Sequence, residues 1–142
     1  MKIKKILLVE DNQNDVDLTI LALSEFNLAN NIVVANDGVD AIDYLRLQGR
    51  FKDREAGYPV VILLDLKMPR MDGIEVLKEI KSDQFLKIIP VVMVTSSREE
   101  QDLVRSYNLG VNAYVVKPVE FNQFLIAMKQ LGAFWAVLNE IP

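Results

Sequence analysis

Val60-Val61-Ile62-Leu63-Leu64-Asp65-Leu66-Lys67-Met68-Pro69-Arg70-Met71-Asp72-Gly73 is the stretch whose reading decides the fold. Its apolar start, rich in β-branched side chains, reads as a parallel strand buried on both faces. A carboxylate closes the run, and Pro69 and Asp72-Gly73 are turn and helix-start chemistry, so neither is given a catalytic role. Three other runs have the same form: Ile6-Leu7-Leu8-Val9 before Glu10-Asp11, Pro90-Val91-Val92-Met93-Val94 before Thr95, and Val111-Asn112-Ala113-Tyr114-Val115-Val116 before Lys117-Pro118. Ile32-Val33-Val34-Ala35 is a fifth, shorter one. Between them apolar residues recur at helical spacing: Val16, Thr19, Ile20, Leu23 and Phe26, then Ala41, Ile42 and Leu45, then Val76, Leu77 and Ile80. A fourth helix is expected over 98–109 with Gly110 as its C-terminal cap, and a fifth with Phe121, Phe124, Leu125 and Met128 inward. Strand and helix alternate five times, which predicts an α/β fold, a doubly wound five-stranded parallel sheet with helices on both faces.

The 142 residues are 51% hydrophobic and 25% charged, an ordinary globular balance that fits one domain over 1–142. A net charge of −4 argues against a nucleic-acid partner, which needs clustered positive charge. No apolar stretch approaches a membrane span or a secretory core, so a cytoplasmic protein with no membrane partner is expected. There is no cysteine and no histidine. Thiolate chemistry, imidazole bases and most zinc or copper sites are thereby excluded, and a bound metal must use oxygen ligands, which favours a hard cation such as Mg²⁺ or Ca²⁺.

Connections from strand to helix lie at the carboxyl edge of such a sheet, where its sites converge. Glu10, Asp11, Asp65, Thr95 and Lys117 all fall there. Each has a structural alternative. Acidic residues suit helix N-termini, Thr95-Ser96-Ser97 suits a cap, and Lys117 could bind the carboxylates or a phosphoryl oxygen. Asp65 is the candidate nucleophile, facing Glu10 and Asp11 across neighbouring strands around a shared cation. Connector 49–59 is charged, without apolar period, on the opposite edge, and reads as a tolerated surface insertion.

With these motifs in place, the chain resembles the receiver domain of two-component response regulators, the CheY-like family, from about Lys5 to Leu131. The motifs are the acidic pair, Asp-x-x-Met-Pro-x-Met-Asp-Gly at Asp65 to Gly73, Thr95, and Tyr114-Val115-Val116-Lys117-Pro118. The resemblance implies strand order 2-1-3-4-5 and Asp65 as phosphoacceptor. It implies Mg²⁺ held by Asp11, Asp65 and the Lys67 backbone carbonyl, with Glu10 acting through metal-bound water. Thr95 would turn its hydroxyl to the phosphoryl group, Lys117 would pair with a phosphoryl oxygen, Tyr114 would be the aromatic switch, and Pro118 would follow a cis bond. The phosphoryl donor would be a sensor histidine kinase or phosphotransfer protein, and the output would be contact with a downstream target protein.

Two features stand apart from the motif set. Lys67, two residues after Asp65, is expected to reach over the site or pair with an acid such as Glu99, and to alter the lifetime of the phosphorylated form. The tail 132–142 is apolar on nearly every side. It either folds over its own core or forms a homodimer or partner interface anchored by Phe134 and Trp135. The tail and the 49–59 connector resemble stand-alone regulators paired with phytochrome-type histidine kinases. Other readings are a phosphate sink or intermediate carrier in a phosphorelay, an aspartyl-phosphate phosphohydrolase, and a nucleotide or flavin binder. The hydrolase lacks its second acid at Lys67, and the last lacks a Gly-rich loop after the first strand.

Overall fold

The three central apolar runs become fully buried strands because helices cover both faces, and the two edge runs are only partly covered. The structure is a computed structural model and describes residues 5–24, 31–111 and 113–132. Element order is β1 (Ile6–Val9), α1 (Gln13–Leu23), β2 (Ile32–Ala35), α2 (Gly38–Arg46), β3 (Val61–Asp65), α3 (Gly73–Ser82), β4 (Val91–Thr95), α4 (Arg98–Ser106), β5 (Tyr114–Val116) and α5 (Phe121–Gln130). Every strand pairing is parallel and the sheet order is β2-β1-β3-β4-β5. Alternate residues serve opposite faces, as the pleat requires. Leu7, Val9, Ile62, Leu64 and Met93 join Ala41, Leu45, Val76, Leu77 and Ile80 of α2 and α3 in one core. Ile6, Leu8, Leu63, Val92 and Val115 join Val16, Phe124 and Met128 of α1 and α5 in the other. None of the described helices is long and apolar enough to cross a membrane.

The helix faces follow the expected spacing, with small shifts. Val16, Thr19 and Leu23 are buried on α1. On α5 Leu125 is only partly buried and Ala127 lies inside with Phe121, Phe124 and Met128. α4 ends at Ser106 rather than near Leu109. Tyr107 caps it, and Asn108 rather than Gly110 turns left-handed directly after the cap, with φ of 54°. Asparagine tolerates that conformation, so the helix stops before Gly110. Gly110, also at positive φ, shapes the loop into β5.

The 49–59 connector is more than a surface insertion. A short 3₁₀ turn at Gly49–Phe51 buries Phe51 edge-on against Tyr44 of α2, with ring centroids 5.0 Å apart. The Arg54 guanidinium lies over the Tyr44 ring, 4.0 Å from its centroid, and Nε donates to the Tyr44 carbonyl at 2.8 Å. Arg50 pairs with Asp40 at 2.6 Å. Charge in this segment therefore carries aromatic packing rather than solvation alone. Phe26, expected on the first helix, and the tail residues Phe134 and Trp135 lie outside the described residues.

Candidate functional site

Register aligns the strand ends into one crevice. Val9 pairs with Leu64, Asp65 with Val94, and Thr95 with Val116. Glu10, Asp65, Thr95 and Lys117 thus leave four adjacent strands at nearly one level. Carboxylate oxygens of Glu10, Asp11 and Asp65 all come within 4.8 Å of one another, Glu10 and Asp65 buried and Asp11 exposed.

The structure assigns the capping roles to other residues. Asn12 caps α1, accepting the Asp15 N–H. Asp72 caps α3 in a reciprocal capping box with Glu75. Ser97 caps α4. Glu10, Asp11, Asp65 and Thr95 are therefore not spent on helix starts, although three of them are buried and polar. Burial of that kind is costly without partners.

Lys117 supplies much of the compensation. Its ammonium lies 2.9 Å from Glu10 Oε1, 3.0 Å from Asp65 Oδ1 and 3.1 Å from Asp15 Oδ2. Of the two partners open in the sequence, it holds the carboxylates here. Asp15 had not been singled out. Its one signal is an acid in the first turn of the helix that follows Glu10-Asp11. Burial pushes the Glu10 carboxyl up to about 7, and the Asp65 charge adds to the effect while Lys117 opposes it. Burial also raises Asp65, against hydrogen bonds from Glu10 and Lys117. Burial disfavours the Lys117 ammonium, but hydrogen bonds to the three carboxylates outweigh it and its pKa rises. Two buried acids share one lysine, so the crevice holds excess negative charge that a further cation would relieve. Three hard oxygen donors at this spacing fit a divalent ion such as Mg²⁺ or Mn²⁺.

The loop after β3 is shaped by close approach. A Cβ on Gly73 would clash with the Asp65 carbonyl oxygen and come within 2.8 Å of the Leu66 Cα. The Gly73 N–H donates to the Leu66 carbonyl at 2.7 Å. Gly73 has no chemistry of its own, but it lets α3 begin against the backbone of the candidate nucleophile. Arg70, with φ of 64°, reaches back to Asp37 with two bonds of 2.6 and 2.9 Å. Asp37 is buried and also caps α2. Burial pushes its carboxyl up, but the Arg70 guanidinium bonds and the Asp40 N–H together outweigh it and hold the carboxyl below its ordinary value. Sequence reading missed this clamp.

Thr95 and Tyr114 occupy the same sheet face, since Met93 pairs with Tyr114 and Thr95 lies two residues on. Thr95 Oγ1 accepts from Gln101 of α4 at 3.3 Å. The Tyr114 ring is half-buried under the Arg105 guanidinium, and its hydroxyl donates to the Val111 carbonyl at 3.3 Å. Lys67 pairs with Glu100 at 3.6 Å, not with Glu99. Glu100 is three residues past the Ser97 cap, where a side chain folds back over the helix start, whereas Glu99 is exposed. The Lys117–Pro118 peptide is cis.

This geometry has close counterparts. The family profile of the response regulator receiver domain matches residues 6–129. The chain is 37% identical over 139 residues to response regulator Rcp1 of Synechocystis sp., covering 98% of this chain and 93% of that one. Among solved structures it is similar to the bacteriophytochrome response regulator AtBRR, with 60% identity, a TM-score of 0.92 and coverage of 98% and 99%. It also matches the phosphorylated cyanobacterial phytochrome response regulator RcpA, with 43% identity, a TM-score of 0.73 and 95% of each chain covered. Rcp1 itself has been solved in a Mn²⁺-bound form, 38% identical with a TM-score of 0.68 over 93% of this chain and 94% of that one. The sheet order, the acidic triad and these likenesses agree, and the chain belongs to the response regulator receiver domain family.

Proposed function

We propose that this chain, over 1–142, is one receiver domain that takes a phosphoryl group onto Asp65 and signals by protein contact. The observation that carries this is a buried Asp65 bonded to Lys117 at 3.0 Å beside two further carboxylates. The donor is a phosphohistidine on a sensor histidine kinase or phosphotransfer protein, because the chain has no histidine of its own. The phytochrome response regulators it resembles favour a phytochrome-class kinase. A carboxylate oxygen of Asp65 attacks phosphorus in line, the P–N bond to the partner imidazole breaks, and the imidazole leaves with the bonding pair. Lys117 moves from pairing three carboxylates to pairing a phosphoryl oxygen, a trade made within one crevice. Glu10, Asp11, Asp65 and the Lys67 carbonyl would hold Mg²⁺, which when bound neutralises charge on the phosphoryl oxygens. Thr95 exchanges its bond with Gln101 for one to the phosphoryl group, and Tyr114 fills the space it leaves.

The chain is a phosphoacceptor and switch rather than a turnover enzyme. Lys67 stands where an aspartyl-phosphate hydrolase would need a second acid. A cytoplasmic location matches the chemistry, and Phe134 with Trp135 would anchor the tail either on a second copy or target or on the chain's own core. The test is incubation with acetyl phosphate and Mg²⁺, read by intact mass and size-exclusion chromatography. A Mg²⁺-dependent phosphoryl adduct absent in Asp65→Asn is expected. No adduct, or one that survives Asp65→Asn, overturns the assignment.

A further inference from the structure

We propose that Glu100 is a positioning residue for phosphorylation. Its carboxylate holds Lys67 and the Ser96 amide in the unphosphorylated arrangement, and both must be released for Asp65 to be phosphorylated efficiently. The inference rests on the function proposed above.

Three contacts meet in the first turn of α4. Glu100 Oε1 accepts the Ser96 N–H at 2.7 Å, and Oε2 lies 3.6 Å from Lys67 Nζ. Gln101, the next residue, donates to Thr95 Oγ1 at 3.3 Å. One turn of helix therefore holds two consecutive residues at the end of β4 and reaches across the crevice to the loop after β3. Lys67 is 80% exposed while the Glu100 side chain is 15% exposed, so the acid is the fixed partner and the lysine the movable one. Thr95 cannot carry its backbone toward Asp65 while Ser96 is tied to Glu100.

Charge decides the direction. A phosphoryl group on Asp65 replaces the carboxylate's single negative charge with close to two, on oxygens that extend further from the backbone, at the residue two before Lys67. The lysine is drawn toward it and Glu100 is repelled, so both forces part the same ion pair. Glu99 carries the same charge in the same turn and, among the described residues, makes no such contact. A capping role alone would make Glu100 matter for the stability of α4 and leave the phosphorylation rate untouched.

The experiment compares the full chain with Glu100→Gln and Glu99→Gln in Mg²⁺ and acetyl phosphate. The phosphoryl group passes to Asp65 as the P–O bond to acetate breaks and acetate leaves. Glutamine offers Ser96 only a neutral acceptor, about half as strong as the charged one, and loses the ion pair, so both ties are loosened. Thermal melting by far-UV circular dichroism checks that each variant is folded at the assay temperature. Glu100→Gln is expected to raise the pseudo-first-order rate about fivefold, the factor that about 1 kcal/mol corresponds to. Glu99→Gln is expected to stay near the wild-type rate, and in a Lys67→Ala background the gain from Glu100→Gln should fall below about twofold. Equal acceleration by the two glutamine variants, no acceleration by either, or an undiminished gain without Lys67 overturns the proposal. A wild-type chain that takes no phosphoryl group refutes the function above instead.

Discussion

Replacing Glu10 with glutamine should stabilise the metal-free protein at pH 8 and leave it nearly unchanged at pH 5. Glu10 is 3% exposed, and burial raises its carboxyl from 4.5 to about 7. A folded-state pKa above the unfolded one means that the unfolded chain releases its proton first. Stability is then highest below pH 4.5, falls as pH rises to about 7, and stays at the lower level beyond. At about 1.4 kcal/mol per pH unit, that window corresponds to roughly 3 kcal/mol. Glutamine keeps the size and a hydrogen-bonding oxygen for Lys117 and removes the ionisation, so most of that amount should appear as added stability at pH 8. At pH 5 the native carboxyl is already largely protonated, and the difference should shrink below about 1 kcal/mol. Urea unfolding followed by circular dichroism in EDTA measures both. With saturating Mg²⁺ the order should reverse, because the wild type keeps an oxygen donor that the variant weakens. A Glu10→Gln chain destabilised equally at pH 5 and pH 8 would refute the claim that excess buried charge dominates this crevice.

Asp37→Ala should cost about 1–2 kcal/mol at pH 7, since it removes the cap of α2 and the two bonds to Arg70. The Asp37 carboxyl is held below its ordinary value, so its contribution is present above about pH 4 and lost as pH falls through the folded-state value. An acid titration of unfolding should show the two proteins converging below pH 4. Gly73→Ala should lose about 1–3 kcal/mol, because the added methyl would occupy space held by the Asp65 carbonyl and Leu66 backbone. Its phosphorylation by acetyl phosphate should slow as well, since relief of the clash moves the nucleophile's strand end.

The sheet was legible because burial on both faces leaves continuous apolar runs, as in Val61–Asp65 and Val91–Thr95. The acidic triad and Lys117 were legible because parallel topology brings the ends of those runs to one edge. Helix ends were harder. An Asn108 turn stopped α4 before Gly110, and the caps proved to be Asn12, Asp72 and Ser97, close neighbours of the residues under question. The long-range polar pairs could not be read at all. Arg70 meets Asp37 across 33 residues and Lys117 meets Asp15 across 102, and no periodicity in a sequence encodes which exposed or half-buried side chain another will find. The aromatic packing of Phe51 on Tyr44 was hidden for a related reason, since a phenylalanine flanked by Arg50 and Lys52 in a charged segment carries no periodic pattern.

Those polar pairs matter because α4 has little else to hold it. α3 buries Ile74, Val76, Leu77 and Ile80, whereas Val104 is the one buried residue of α4. A helix with so small an apolar anchor opens at low free-energy cost, and single contacts of about 1 kcal/mol each weigh heavily in its balance. The Glu100 and Gln101 bonds to the end of β4 are such contacts, and both face the crevice where the proposed phosphoryl group would sit. At its other end, Arg105 of the same helix covers the Tyr114 ring. Loss of the bonds at the first turn would therefore be felt at the Tyr114 face without strain in the central strands β1, β3 and β4, which are buried throughout. A rigid sheet carrying the reacting group and a weakly anchored helix reading it is the division of labour that lets a small change of charge alter a protein surface.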